Sequence, residues 1–190
     1  MHEQEDRIAE WTVLELIERI RRPRYRCGGG VAACLTLAQA AALGDLVRRA
    51  AHRHLEQSQT HELAIGLASV IEQALARADL DRAVLHDLLS TFQPTIPTGD
   101  RESVVERATM VPLQTADLAL QLLETLNRLA PSVPPFAASD LVAARALARA
   151  SVEAALAMAQ ANLSLLPPHR AAAFADGIQR RLVQLRSILE

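Results

Sequence analysis

The chain has 190 residues, 50% hydrophobic content, a formal net charge of −2 and a pI of about 6.3. That length and apolar fraction suffice for one domain with a substantial core, and the charge offers no basic field to nucleic acid or an anionic membrane. Aromatic residues make up only 3%, and all 20 positive side chains are Arg, which favours helices packed through small residues and excludes any Schiff-base or P-loop lysine. Cys27 and Cys34 are the only cysteines, too few for a zinc site or a disulfide framework. The polar start MHEQEDRIAEW has no signal-peptide pattern, and no apolar run reaches the ~20 residues of a bilayer span, so a cytoplasmic protein is expected.

Thr12 followed by Glu15 reads as a capping box, with Val13, Leu16, Ile17 and Ile20 on one face of a short helix that Pro23 ends. The triplet Gly28, Gly29, Gly30 then opens onto an Ala-rich helix expected from about Val31 to His54, with Ala33, Leu37, Ala40 and Leu43 as its buried stripe. A glycine turn before a helix tolerates unusual backbone angles and leaves the first amide N–H groups available to an anion. A third helix is expected from about Thr60 to Arg77, and a short fourth beginning near Asp79 or Asp81 and carrying Val84, Leu85, Leu88 and Leu89. FQPTIPTGD is a loop, after which helix resumes from about Arg101 to Leu129 with Pro112 inside it, where a kink is expected. A second Pro-rich loop ends in Ser139 and Asp140, either suited to cap the next helix, Leu141 to about Leu165. That helix is small on all sides and asks for close neighbours, a second subunit among them. Beyond Pro167 and Pro168 a last helix, about His169 to Leu189, carries Phe174, Ile178, Leu182 and Leu185. No strand pattern emerges, so the chain reads as an all-α bundle of long antiparallel helices, one of them Pro-kinked.

Recognisable chemical motifs are few. His52 and His54 face different sides of a helix and no HExxH, GxSxG, CxxC or Walker sequence is present, so no metal site is expected. Asp140, at a loop-to-helix corner, is the acid that stands out, and Asp45 reads as a solvated acid on an outer face.

The order of the glycine triplet with its Ala-rich helix, then ERATMVPLQTADLALQLLETLNRLA, then SDLVAARALARASVEAALAMAQANLSLL resembles the cyclodeaminase/cyclohydrolase family, the C-terminal domain type of formiminotransferase-cyclodeaminase, over about Thr12 to Leu166. The resemblance implies an all-α homodimer acting on a tetrahydrofolate derivative, with no metal and no cofactor beyond that substrate. It places Gly28, Gly29 and Gly30 at the folate pocket, Asp140 as catalytic acid or base beside Ser139, and Asn162 as the late asparagine of the family pattern. The Val111–Pro112–Leu113 run matches the family's VPL. Arg24 or Arg26 would hold the glutamate tail, since a carboxylate prefers a bidentate guanidinium. The chain departs from the pattern at Cys27 (usually Pro), Val31 (usually Ser) and near Pro134 (usually Asn). The implied reaction is hydrolysis of 5,10-methenyltetrahydrofolate to 10-formyltetrahydrofolate or cyclodeamination of 5-formiminotetrahydrofolate. The alternative is a non-catalytic dimeric folate-binding or assembly protein of the same fold.

Overall fold

Six helices, α1 Val13–Ile20, α2 Gly29–Ala51, α3 Gln57–Ser90, α4 Thr98–Leu129, α5 Ala138–Asn162 and α6 Pro168–Leu189, make up the computed structural model, which describes residues 7–22, 27–92 and 98–190. No strand occurs among the described residues, so the expected all-α class holds. Helices α2, α3, α4 and α5 form a ring in which α2 packs on α3 and α5, and α4 on α5 and α3; α6 lies across α4 and α5.

Small side chains make this packing close. Ala33, Ala40, Ala41, Ala144, Ala148, Ala155 and Ala159 are buried, interleaved with Leu37, Leu120, Leu123, Leu126 and Val152. Ser151, wholly buried on α5, donates its hydroxyl to the Ala33 carbonyl of α2 at 2.9 Å. Helix α2 and its 3-10 extension, Gly29–His54, corrects one expectation: it is long and apolar enough for a membrane span, with mean hydropathy 1.6 over 18 residues. More than half of that window is buried in the bundle, as its alanines and leucines face α3 and α5. Asp45 is not simply solvated either. It holds Arg48, only 8% exposed, at 2.7 Å and Arg49 at 2.8 Å.

Two expected helices prove to be one. The interval between Arg77 and Val84 contains no Pro or Gly, and α3 runs through it unbroken. Asp79 and Asp81 suggested a start because Asp is a favoured cap, and both do cap helical ends, but those of other segments. The Asp79 carboxylate accepts the N–H of Ile8 at 2.9 Å, opening the 3-10 turn Ile8–Glu10, and Asp81 accepts the N–H of Val31 in the first turn of α2.

The capping box of α1 is present, with the Thr12 hydroxyl accepting the Glu15 N–H at 3.2 Å and the Glu15 carboxylate accepting the Thr12 N–H at 2.8 Å. Its apolar face is not buried, however: Val13 is 77% and Ile17 53% exposed. The N-terminal stretch is anchored by Ile8, packed with Val31, Cys34 and Ala78, and by Trp11, whose ring lies 4.0 Å from the Arg19 guanidinium and 5.1 Å from that of Arg82. At α5 the cap is Ala137, without a side-chain bond, because the 3-10 turn Pro135–Ala137 runs directly into the helix; Ser139 and Asp140 fall inside its first turn.

Close approach at Gly44 gives a direct test. A Cβ there would lie 3.0 Å from Leu126 Cδ2 and 3.2 Å from Leu67 Cδ2, whereas one at Gly66 meets nothing within 4 Å. Thermal unfolding should show Gly44→Val destabilised by about 1–3 kcal/mol through overpacking, and Gly66→Ala stabilised by roughly 0.5–1 kcal/mol through helix propensity.

Candidate functional site

The start of α2 needs glycine for space rather than for backbone angle. Gly28 is the N-cap at φ −120°, ψ −157°, and Gly29 and Gly30 already belong to the helix. A Cβ on Gly30 would fall on the Asp81 carboxylate, and one on Gly29 would come within 2.9 Å of Met158 Sδ; at Gly28 the nearest atom is Leu85 Cδ2 at 3.8 Å. Absence of a side chain at 30 thus lets an acid from α3 reach the first turn of α2. The anion that a helix N-terminus favours is supplied here by the chain itself.

In front of this contact lies a cavity of about 200 Å³, lined by Gly28, Gly29 and Gly30, by Asp81 and Leu85 of α3, by Pro112 of α4, and by Met158 and Asn162 of α5. Its walls are apolar apart from the first-turn backbone of α2, Asp81 and Asn162. Burial among them pushes the Asp81 carboxyl up from its ordinary 3.8 to about 6, against the opposing pull of the Val31 N–H. Cys27, next to Gly28, is also buried and its thiol is raised by burial, while Cys34 is pushed up to about 11 by burial. At neutral pH Cys34 therefore stays a thiol and Asp81 is the ionisable group poised to exchange a proton.

The cavity also unites two motifs. Proline at 112 has no N–H for the carbonyl of Ala108 one turn earlier, and that carbonyl accepts instead from Asn162 Nδ2 at 2.9 Å. Pro112 and Asn162 meet across α4 and α5 for this reason.

Of the residues expected from sequence, Gly28, Gly29, Gly30 and Asn162 come together here. Ser139 and Asp140 do not: they sit at the opposite end of α5, Asp140 about 27 Å along the axis from Met158 at the helical rise. Arg24 and Arg26 lie outside the described residues. The departure at Val31 leaves the cavity unaltered, since that side chain is fully buried beside Ile8, Cys34 and Ala78. Asp81 is the group that sequence reasoning missed. Its signal was present as an acid following Asp79 in an otherwise helical stretch, but cap chemistry explained it locally. A larger groove of about 440 Å³ between α3 and α4 contains Glu62, Gln121 and Arg128 but none of the motif residues, so the candidate site is the smaller cavity, which holds them.

The sequence profile of the family described as formiminotransferase-cyclodeaminase matches residues 12–180. No protein of curated function matches the chain. Among solved structures, formiminotetrahydrofolate cyclodeaminase from Thermotoga maritima superposes with a TM-score of 0.86 at 15% identity, covering 95% of this chain and 93% of that one, a likeness of fold.

The Gly30–Asp81 contact carries two expectations. Gly30→Ala should displace the carboxylate and lower Tm, while Gly28→Ala should leave Tm nearly unchanged. The native state holds the Asp81 proton up to about pH 6 and the unfolded chain only to 3.8, so this group's contribution to stability is present below 3.8 and lost as pH rises to about 6. The gap is worth roughly 3 kcal/mol as an order of magnitude. Denaturant unfolding of Asp81→Asn across pH 4–8 should lack that decline and be more stable than wild type at pH 8.

Proposed function

Because the chain belongs to the formiminotransferase-cyclodeaminase family, we propose that it is a folate-linked one-carbon enzyme in which Asp81 moves the proton, with hydrolysis of 5,10-methenyltetrahydrofolate ranked ahead of cyclodeamination of 5-formiminotetrahydrofolate. The observation that carries this reading is the buried Asp81 carboxyl, pushed up to about 6, inside the cavity that holds the glycine triplet, Pro112 and Asn162. Such a carboxyl is a base at neutral pH and an acid once it has taken a proton.

In the hydrolysis, water oxygen bonds to the electrophilic bridging carbon while its proton passes to Asp81. The neutral adduct then breaks one carbon–nitrogen bond as Asp81 returns the proton to the departing ring nitrogen, and the adduct's hydroxyl proton passes to solvent as the formyl C=O forms. In the cyclodeamination the substrate's own nitrogen forms the new bond and ammonia leaves with the proton. In both, a carboxylate in apolar surroundings stabilises the cationic carbon centre more strongly than it could in water. At about 200 Å³ the cavity is below the ~300–1,000 Å³ of drug-sized sites. It accommodates the one-carbon end of the substrate, leaving the glutamate tail outside. Arg24 and Arg26, immediately before Cys27 in the chain, are the candidates for gripping that tail. Homodimerisation and a cytoplasmic location belong to the same proposal; exposed Leu46, Ile65 and Val142 supply apolar surface for a second copy. Only from such a copy could Asp140 approach the cavity.

Absorbance of 5,10-methenyltetrahydrofolate, followed in a buffer of slow spontaneous hydrolysis, should fall in a protein-dependent and saturable way. kcat/KM should rise with pH to a plateau with an apparent pKa of about 6, as Asp81 becomes a base. Asp81→Asn should lower kcat by about 10²–10⁴-fold with the fold retained. Asp140→Asn should stay within about twofold of wild type. If Asp140→Asn instead loses turnover and recovers on mixing with Asp81→Asn, the site is shared between subunits. Binding of both folates without turnover of either would leave the non-catalytic alternative.

A further inference from the structure

Asparagine offers both a donor and an acceptor, and its orientation is ordinarily free. At Asn162 it is not. The Ala108 carbonyl can only accept, so the bond at 2.9 Å commits the amide nitrogen to it and leaves Oδ1 as the other end of a side chain that lines the cavity. The carbonyl needs that donor because Pro112, four residues on in the same helix, has no N–H. Pro112 itself forms part of the cavity wall, so one residue both shapes the pocket and frees the carbonyl.

We propose that Pro112 and Asn162 form one device that sets the polarity of the cavity: the proline releases the Ala108 carbonyl, the carbonyl holds the Asn162 nitrogen, and Oδ1 is presented to the ligand as a fixed acceptor. The two polar side chains of the cavity, Asp81 and Asn162, then both accept from the ligand, and the part of the ligand they select is a planar nitrogen-bearing group with N–H donors or a positive charge shared over nitrogen and carbon. The proposal rests on the reading of this cavity as the folate site and specifies which part of the substrate it recognises. Asn162 contacts the ligand in this scheme, and Pro112 is the positioning residue that acts through it.

A double-mutant cycle tests both halves. Asn162→Ala should lower Tm by ~3–10 °C, since it leaves the Ala108 carbonyl without a donor. In the Pro112→Ala background the restored helical N–H satisfies that carbonyl, and the same substitution should cost less than a third as much. Asn162→Asp, of the same shape but unable to donate when ionised, should be at least as damaging as Asn162→Ala. With 5,10-methenyltetrahydrofolate as probe, Pro112→Ala and Asn162→Ala should each raise KM, or Kd where turnover is slow, by about tenfold with kcat changed far less. The double variant should be no worse than either single one. Additive Tm effects would overturn the device, and coupled Tm effects with an unchanged KM in both single variants would reduce Asn162 to a helix tie. Wild-type protein that neither turns over nor binds the probe defeats the folate reading instead, and the Tm cycle, which uses no ligand, keeps the two results apart.

Discussion

The placement of the Asp81 carboxylate against the first turn of α2 is the constraint from which the site follows. It is possible only because residue 30 has no side chain, and it brings the middle of α3 to the beginning of α2. With those two segments in register, the middle of α4, which carries Pro112, and the C-terminal end of α5, which carries Asn162, close the remaining sides of the cavity. A helix N-terminus favours an anion and burial disfavours one. For Asp81 burial outweighs the hydrogen bond, which is why its carboxyl sits near 6 rather than below 4.

Burying an acid in this way works against stability and is tolerated because the surrounding bundle is closely packed. The core is built from alanines at helical spacing with leucines between them, and helices approach so closely that a Cβ at Gly44 would crowd Leu67 and Leu126. Among the described residues few polar side chains are buried, and each carries a bond across or along the helices: Ser151 to Ala33, Thr109 to Val105, Thr115 to Val111, Thr91 to Leu88 and Arg48 to Asp45. Among the described residues, Asp81 is the carboxyl that burial pushes up, a pattern often found at functional residues.

The proline in α4 shows how a defect in one helix becomes a contact between two. An unpaired carbonyl in a helix interior is costly, and here its remedy comes from 54 residues away in sequence, through Asn162. Motif residues that look independent along the chain are therefore halves of one interaction, and neither half is intelligible without the other.

Much of the fold was legible in the chain itself. Apolar residues at helical spacing, Pro at helix ends and the scarcity of aromatic residues determined an all-α bundle, and the capping box at Thr12 determined where α1 begins, because all of these act within a few residues of one another. The glycine triplet, Pro112 and Asn162 were legible as a pattern resembling a family, though not as neighbours. What only the tertiary structure decided was which acid is buried beside the glycine triplet. Asp79 and Asp81 carry the local signature of helix caps, and that reading was chemically right and topologically wrong: the termini they cap belong to Ile8–Glu10 and to α2. Asp140 carried the same local signature, and the fold leaves it at the far end of α5. Capping chemistry is encoded in a residue type, but the helix it serves is chosen by packing, and burial, which displaces a pKa, exists only once the chain has folded.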